Sequence, residues 1–512
     1  MINENIYSRN TREGSMKLKH LSLSVMIMGT AFGLASTQAA ASGYQFGSQS
    51  VSGQGTAHAN GAEANDPSTI FTNPAGLSRL DGTQLVVGGT LVVPHSEYTD
   101  NGSTNILGKP TGGGNGGTFA PKAVAAPTFY LSHKVNDKIT AGIGVFVPYG
   151  AKLDYGFDWA GRYALKSVNL QSLNINPSIS FKLDDRHSFG FGVSAQYMDA
   201  TLEQMADATS GLALKAAKAG GITGPFGPGG ATVTLTDPAQ ISAVMRAGGV
   251  GGDGLAHVEG NDWGFGWNIG YMFQLNENTR FGLAYRSSVK QSLQGSSTWT
   301  FNNVKGNVTV GGITLPAAAA AKLAHPNASA SVDVTTPETV SANFFHQLNP
   351  KVALMGDVTW VRNSQLQQLD IKQSTVNGVA QGDLVLHQNW KDTWRVSFGS
   401  NYQLNDAWML RGGVAWEQAP LQSDNDRHPA IPDSDRLWLS FGANYKINKQ
   451  SSIDLAYSFI DFKNANVNYT DACSPAGVSP TTGAACTGNG GTVKGSYKTY
   501  LQLIGVQYNY RF

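Results

Sequence analysis

The side chains that could carry catalytic chemistry are scattered along this chain of 512 residues. Its ten histidines fall in predicted loops and turns, and no Gly-x-Ser-x-Gly motif marks a serine nucleophile. The glycine run at 112–117 is like a phosphate-binding loop, but no Lys-Ser or Lys-Thr pair follows it. These observations argue against an enzyme.

Cys473 and Cys486 are the two cysteines, and both lie in one segment rich in Gly, Pro and Thr. In an exported chain, an even pair that closes a short loop predicts a disulfide. A metal site would need more ligands than this segment offers, so we predict no metal site and no other cofactor.

Large apolar side chains alternate with small or polar ones over long stretches, which is the periodicity of β-strands. The apolar face of one such stretch carries Trp263, Phe265, Trp267, Ile269, Tyr271, Phe273 and Leu275. The opposite face of this and similar stretches carries mainly Gly, Asn, Arg and Lys. A soluble sandwich also alternates, but aromatic residues on one face and polar residues on the other suit lipid outside and a polar lumen inside.

Fourteen such strands can be counted, and tight turns alternate strictly with long loops between them. Short periplasmic turns opposite long external loops are typical of outer-membrane barrels. Charged residues make up only 14% of the chain, and beyond the N-terminus no run of apolar residues is long enough for a membrane helix. The sequence therefore predicts an all-β fold, a 14-stranded antiparallel transmembrane β-barrel.

The N-terminal region predicts export from the cytoplasm. The segment 16–41 begins with two lysines, continues with an apolar core at 21–34 and ends in three alanines, as a signal peptide does. Residues 1–15 are interpreted as an upstream extension that takes no part in the fold. No basic patch stands out, so nothing indicates a nucleic-acid partner.

Two predicted external loops, at 205–256 and 302–329, are unusual because they contain Ala- and Leu-rich stretches that favour short helices. Such helices could offer an apolar landing surface for a ligand. They could equally be a structural cap on the barrel, and the sequence leaves both interpretations open.

Four stretches carry a resemblance to a known family. They are "DWGFGWNIGYMFQLNENTRFGLAYRSSVK" at 262–290, "IPDSDRLWLSFGANYKINKQSSIDLAYS" at 431–458, "SGYQFGSQSVSGQG" at 42–55 and "NPAGL" at 73–77. On these residues the chain resembles the outer-membrane long-chain fatty acid and hydrocarbon transporters of the FadL/TodX type. The resemblance implies a bacterial outer-membrane barrel formed by 83–512, whose lumen is closed by an N-terminal hatch at 42–82.

The segment 42–82 is called the hatch segment below. The resemblance makes Asn73, Pro74 and Ala75 the hatch motif of the family. A barrel of this width leaves an open lumen unless something fills it. The many glycines of the segment give its backbone freedom to rearrange, while Pro74 fixes one turn.

A second feature implied by the resemblance is a kink in the third strand that opens the barrel wall sideways. Its residues here are Phe146, Val147, Pro148, Tyr149 and Gly150. Proline inside a paired strand removes a ladder hydrogen bond and belongs at edges or bulges. The alternative is that the strand simply ends at Pro148.

The candidate ligand-binding residues are Gln204, Asp370 and Lys372. Fatty acid transporters of the family place an arginine and a lysine near the ligand carboxylate, and ungapped matching puts Gln204 and Asp370 at those two positions. Lys372 lies on the same strand face as Asp370 and could supply the missing cation. The departure from the family pattern raises the chance of a neutral hydrocarbon or aromatic substrate.

The expected function is passive uptake of long-chain fatty acids, with capture by the external loops, an apolar lumen pocket, hatch rearrangement and lateral exit at the kink. Neutral hydrocarbons carried by the same route are the alternative. A general porin is a further class, in which lumen-side residues such as Arg286, Lys290 and Arg395 would line a pore instead of pairing with Asp357 and Glu417. The expected partners are a hydrophobic ligand, outer-membrane lipid and the barrel-assembly machinery during biogenesis, and we expect a monomer.

Overall fold

A computed structural model describes residues 43–310, 313–378, 381, 384–470 and 491–512. The predicted disulfide between Cys473 and Cys486, the predicted signal peptide at 16–41 and the upstream extension at 1–15 lie outside the described residues. Those three predictions therefore stay predictions.

Strands dominate the described chain. In chain order they are β1 (Thr83–Asp100), β2 (Val124–Lys134), β3 (Ile139–Phe146), β4 (Gly150–Asp154), β5 (Ser167–Lys182), β6 (His187–Asp207), β7 (Ile222–Gly224), β8 (Val233–Leu235), β9 (Asp253–Asn276), β10 (Thr279–Arg286), β11 (Val289–Thr300), β12 (Asn307–Val310), β13 (Ile313–Pro316), β14 (Ala328–Thr336), β15 (Thr339–Asn349), β16 (Val352–Val361), β17 (Gln368–Gln373), β18 (Leu384–His387), β19 (Thr393–Gln403), β20 (Trp408–Glu417), β21 (Arg436–Lys446), β22 (Ser451–Phe462), β23 (Ala465–Thr470) and β24 (Thr492–Arg511).

Twenty of these strands form one antiparallel sheet that closes on itself, because β1 pairs with β24 from Gln84↔Arg511 to Asp100↔Gly495. Six crossings of the wall are each built from two consecutive strands with a short interruption: β3 with β4, β10 with β11, β14 with β15, β16 with β17, β18 with β19, and β22 with β23. The described wall is therefore a closed 14-stranded barrel, which confirms the predicted fold class.

Side chains alternate between the two faces of the wall as the sequence predicts. On β9, Phe265 is 77% exposed, whereas Asn268 on the other face is 2% exposed. On β21, Phe441 is exposed and Ser440 is fully buried. The exposed face is aromatic and aliphatic around the barrel, which is the surface that a bilayer requires.

Short turns join the strands at one end of the barrel, and long loops join them at the other. The described loops hold the helices α3 (Ala208–Lys218), α4 (Pro238–Ala247) and α5 (Ala317–Ala324), at the three stretches where the sequence favours helix. Asp207 caps α3 and also contacts Arg246 of α4 at 3.0 Å, so the two helices of this loop are bound to one another. No helix among the described residues is long and apolar enough to cross a membrane.

The described part of the hatch segment lies inside the barrel. It holds α1 (Val51–Gln54), α2 (Thr69–Thr72) and the 3-10 helices Asn60–Ala62 and Pro74–Arg79. These elements contact wall strands on all sides, including β3, β6, β9, β15 and β22. Most of their side chains are buried, so the lumen at this height is filled by chain.

Candidate functional site

The third crossing of the wall is interrupted at 147–149. β3 pairs with β2 up to Phe129↔Val145, and after the interruption β4 pairs with β5 alone. On the other side, β2 pairs with β1 only up to Val92, so the outer half of β1 pairs with β24 alone. On the side of this level toward the long loops, the direction called above here, no continuous hydrogen-bond ladder joins β1 to β4. We call residues 147–149 the third-strand break.

The hatch segment provides the hydrogen-bond partners that β2 does not. The Phe46 amide donates to the Pro148 carbonyl at 2.7 Å, and the Gly150 amide donates to the Tyr44 carbonyl at 2.8 Å. The Gln49 side chain donates to the Val147 carbonyl at 2.7 Å and accepts from the Val147 amide at 3.2 Å. Because buried backbone groups must be paired, the break and the hatch segment cannot move independently without losing these bonds.

Three aromatic rings pack where the hatch segment meets the break. Tyr44 lies 5.3 Å from Tyr149 and 5.8 Å from Trp390 between ring centroids, and all three side chains are buried. Gly43 has a positive φ, and a side chain there would overlap the Trp390 ring at 2.7 Å. The rings form a layer across the lumen that includes one residue of the hatch segment and one of the break.

Above this layer, on the side of the long loops, lies an apolar cavity whose empty space, together with the part open to solvent, is about 920 Å³. Apolar side chains from eight wall crossings, the loops and the hatch segment form most of its lining, which includes Tyr44, Ala151, Val168, Leu170, Ala200, Leu202, Val258, Leu293, Ala330, Val332, Val334, Leu366, Leu369, Ile371, Leu386, Ala430 and Ile431. The one charged side chain of the described lining is Glu259. The cavity suits a ligand that is apolar along most of its length.

A second space, of about 520 Å³ together with the part open to solvent, adjoins the apolar cavity and is called the side groove. Ala151, Ala430 and Ile431 line both spaces. The side groove also touches Pro94 of β1 and Leu153 of β4, the two strands that lack a common ladder. The apolar cavity thus borders, through the side groove, the interrupted part of the wall.

Asn73 of the predicted hatch motif is docked on glycines of the wall. Its side-chain amide donates to the carbonyls of Tyr271 at 3.1 Å and Leu283 at 3.4 Å. A Cβ at Gly270 of β9 would overlap the Asn73 side-chain oxygen, and one at Gly190 of β6 would overlap the backbone of Pro74 and Ala75. The close approach of the two backbones therefore requires glycine at these positions.

The three predicted ligand-binding residues are not brought together at the apolar cavity. Gln204 is buried at the outer end of β6, where its amide donates to the Tyr163 carbonyl. Leu369 and Ile371 of β17 line the cavity, so the alternating Asp370 and Lys372 lie on the opposite face of the strand. The roles assigned to these residues from the family resemblance stay predictions without support from the cavity lining.

Some interior arginines pair as the barrel-interior interpretation expects. Arg395 contacts Asp357 at 3.5 Å, and Arg436 contacts Glu417 at 3.7 Å. Lys290 differs from the expectation, because it is exposed and its neighbours Val289 and Gln291 are buried. The interruption between β10 and β11 shifts the alternation by one residue and turns Lys290 outward.

Sequence reasoning missed the glycines that seat Asn73 and the aromatic layer at the break. Gly190 and Gly270 occur at polar-face positions of predicted strands, which is the signal that could have identified a close backbone approach. Trp390 gave no such signal, because its contact with Tyr44 joins residues far apart in the sequence.

A closed barrel with an apolar exterior defines an integral β-barrel protein of the outer membrane. Residues 32–512 match the profile of the family described as outer membrane protein transport protein (OMPP1/FadL/TodX). The chain belongs to this family. Its members are transport proteins, which agrees with the prediction that the chain is not an enzyme.

Individual relatives span nearly the whole chain. Outer membrane protein NMB0088 of Neisseria meningitidis serogroup B is 34% identical over 499 residues, which are 96% of this chain and 99% of that protein. The long-chain fatty acid transport protein of Escherichia coli K12 is 29% identical over 445 residues, 86% of this chain and 92% of that protein. The crystal structure of a Pseudomonas aeruginosa FadL homologue is similar with a TM-score of 0.73 and 23% identity, covering 92% of this chain and all of that one.

Proposed function

We propose that this protein takes up long-chain fatty acids across the outer membrane by passive diffusion. The observation that carries the proposal is the apolar cavity, which lies inside a closed barrel and borders an interrupted part of its wall. The name of the Escherichia coli relative, a long-chain fatty acid transport protein, supports this substrate class.

The proposed route begins at the external loops and enters the apolar cavity. Burial of apolar surface stabilises a bound alkyl chain by roughly 25 cal/mol per Å², or several kcal/mol for a long chain. The bound chain would contact Tyr44, whose carbonyl also holds the Gly150 amide at the break. Displacement of Tyr44 would then loosen the break, and the ligand would leave sideways through the side groove into the bilayer without returning to water.

Neutral hydrocarbons are the second candidate substrates. The observation that favours them is that no cation lines the described part of the apolar cavity. A carboxylate buried there without a partner would lose its hydration. The two candidates predict different results when a fatty acid and an alcohol of the same chain length compete for uptake, because only the acid needs a cation along the route.

Replacing Leu369 with Gln tests whether the apolar cavity binds the ligand. We expect uptake of radiolabelled oleate, by cells that lack their own fatty acid transporter, to fall about tenfold at limiting oleate, since a leucine side chain that becomes buried against the ligand contributes about 1.5–3 kcal/mol. The matched control on the same strand is Lys372→Ala, which changes a side chain on the opposite face and should leave uptake unchanged.

Two results would count against the proposal. Unchanged oleate uptake in the Leu369→Gln variant would remove the apolar cavity from the route. A loss of oleate but not of oleyl alcohol in the Lys372→Ala variant would restore Lys372 as the carboxylate-binding residue suggested by the sequence.

A further inference from the structure

A third space, of about 840 Å³ together with the part open to solvent, lies below the aromatic layer between the hatch segment and β10, β15, β16 and β19. It is called the polar cavity. Four charged side chains line it, namely Arg286, Asp357, Arg395 and Glu417. Six residues of the hatch segment line it, and three of them lie at or next to the motif that docks on the wall glycines, namely Phe71, Thr72 and Pro74.

Three of these four charges have a partner of opposite sign. Arg395 pairs with Asp357 at 3.5 Å, and Glu417 contacts Arg436 at 3.7 Å and accepts from the Trp438 ring nitrogen at 2.9 Å. His58 also lines the cavity, and burial, with the nearby charge of Arg395, lowers its pKa to about 3, so it is neutral. The described lining thus contains one cation that remains without an anion, Arg286.

Arg286 is held by neutral acceptors alone. Its guanidinium donates to the Phe71 carbonyl at 3.1 Å, the Asn176 side-chain oxygen at 3.2 Å and the Ser194 hydroxyl at 3.4 Å. No carboxylate of the described residues lies within 4.0 Å of it. A guanidinium has five donors, so Arg286 keeps free donors toward the cavity, and such a fork matches the two oxygens of a carboxylate.

Arg286 also contacts both the hatch segment and Phe146, which precedes the third-strand break. Its guanidinium carbon lies 5.1 Å from the centre of the Phe71 ring of the hatch segment and 5.6 Å from that of Phe146, the last residue before the break. The hydrogen bond to the Phe71 carbonyl ties the hatch segment to β10. An anion bound to the free donors of the same guanidinium would draw the side chain toward the cavity and weaken its hydrogen bond to that carbonyl.

We propose that Arg286 binds the carboxylate of a lipophilic acid, and that this contact weakens the hold of β10 on Phe71 and so promotes movement of the hatch segment. The inference rests on the proposed function and deepens it. It assigns the carboxylate a cation that neither Gln204 nor Asp370 supplies, and it makes a fatty acid, rather than a neutral hydrocarbon, the ligand that releases the hatch segment.

The test compares oleate with oleyl alcohol, which has the same chain and no charge. In the Arg286→Gln variant, oleate uptake should fall at least about tenfold, as expected when a charge-assisted hydrogen-bond pair is lost, while oleyl alcohol uptake changes by less than about twofold. Arg286→Lys, which keeps the charge, should retain most of the oleate uptake. Arg362→Gln, at an exposed arginine that pairs with Glu338, is the control and should behave as the unchanged protein.

Folding of each variant is checked by the heat-dependent gel mobility of the barrel. Equal losses of both ligands in a folded Arg286→Gln variant would reduce Arg286 to a support of the hatch segment and overturn the inference, as would no loss at all. An acid-specific loss in Lys152→Gln, at the side groove, but not in Arg286→Gln would place the carboxylate there instead. If the unchanged protein takes up only the alcohol, the inference fails and hydrophobic uptake stands, whereas uptake of neither ligand would refute the proposed function itself.

Discussion

At the scale of single residues, the hatch segment is positioned by wall glycines, which have no side chain at the points of contact. Three wall strands each carry a glycine at the contact with the Asn73–Ala75 motif, and the motif occupies the space that a side chain would take. These glycines are Gly190, Gly270 and Gly282. Asn73 uses the space to donate to two strand carbonyls, those of Tyr271 and Leu283. The motif and the glycines therefore act as one unit.

Replacing Gly270 with Val should displace the hatch segment while leaving the barrel folded. The new side chain would overlap the Asn73 side-chain oxygen and lie close to Pro74, whereas valine is well suited to a strand. We expect a steady ion conductance in planar bilayers that the unchanged protein does not show.

Gly412→Val is the matched control, because a Cβ at Gly412 of β20 meets nothing within 4 Å. It should remain closed to ions. A Gly270→Val protein that stays closed and transports oleate normally would show that the hatch segment does not depend on the contact between Asn73 and Gly270.

Residue-level prediction from sequence succeeded where alternation along an unbroken strand decides the environment. Phe265 and Trp267 on the lipid face are examples. It failed for Lys290, because a two-residue interruption shifts the phase of the alternation. The sequence could not show that Arg286 lacks a nearby carboxylate among the described residues, because this depends on packing between distant strands.

At the scale of elements, the main feature is the exchange of partners at the third-strand break. Pro148 has no amide proton, and the chain on either side of it turns from the wall ladder to the hatch segment. The interruption at 147–149 lies within the segment 146–150 in which the family resemblance implies a kink. It could not predict which element takes over the hydrogen bonds, because Phe46 and Pro148 are about a hundred residues apart.

A disulfide between the hatch segment and the break should stop uptake. Gln45 and Tyr149 form an antiparallel bridge, and the Cα spacing of such pairs, about 4.5–5.5 Å, suits a disulfide. In a background with Cys473→Ser and Cys486→Ser, the Gln45→Cys and Tyr149→Cys pair should lower oleate uptake at least about tenfold when oxidised, and a reductant should restore it.

The two single-cysteine variants control for the loss of either side chain and should not respond to oxidation. Full oleate uptake by the oxidised, cross-linked pair would mean that the hatch segment and the break do not need to separate during transport.

At the scale of the whole molecule, the wall of the barrel faces the lipid and the lumen holds the hatch segment and the cavities. The wall presents aromatic and aliphatic side chains to lipid and is closed by the β1–β24 pairing. The lumen holds the hatch segment, an apolar cavity above the aromatic layer, and a polar cavity between the hatch segment and the wall. Sequence periodicity was sufficient to predict the number of strands in the wall and the alternation of short turns with long loops. The two cavities could not be predicted, because each is lined by side chains from many crossings.

The most direct test of the account measures oleate transfer and ion conductance on one purified preparation in lipid bilayers. We expect saturable transfer of oleate into the bilayer by a protein that shows no steady large channel, because the hatch segment fills the lumen and the ligand leaves sideways. A steady conductance, together with oleate transfer no faster than in protein-free membranes, would contradict it.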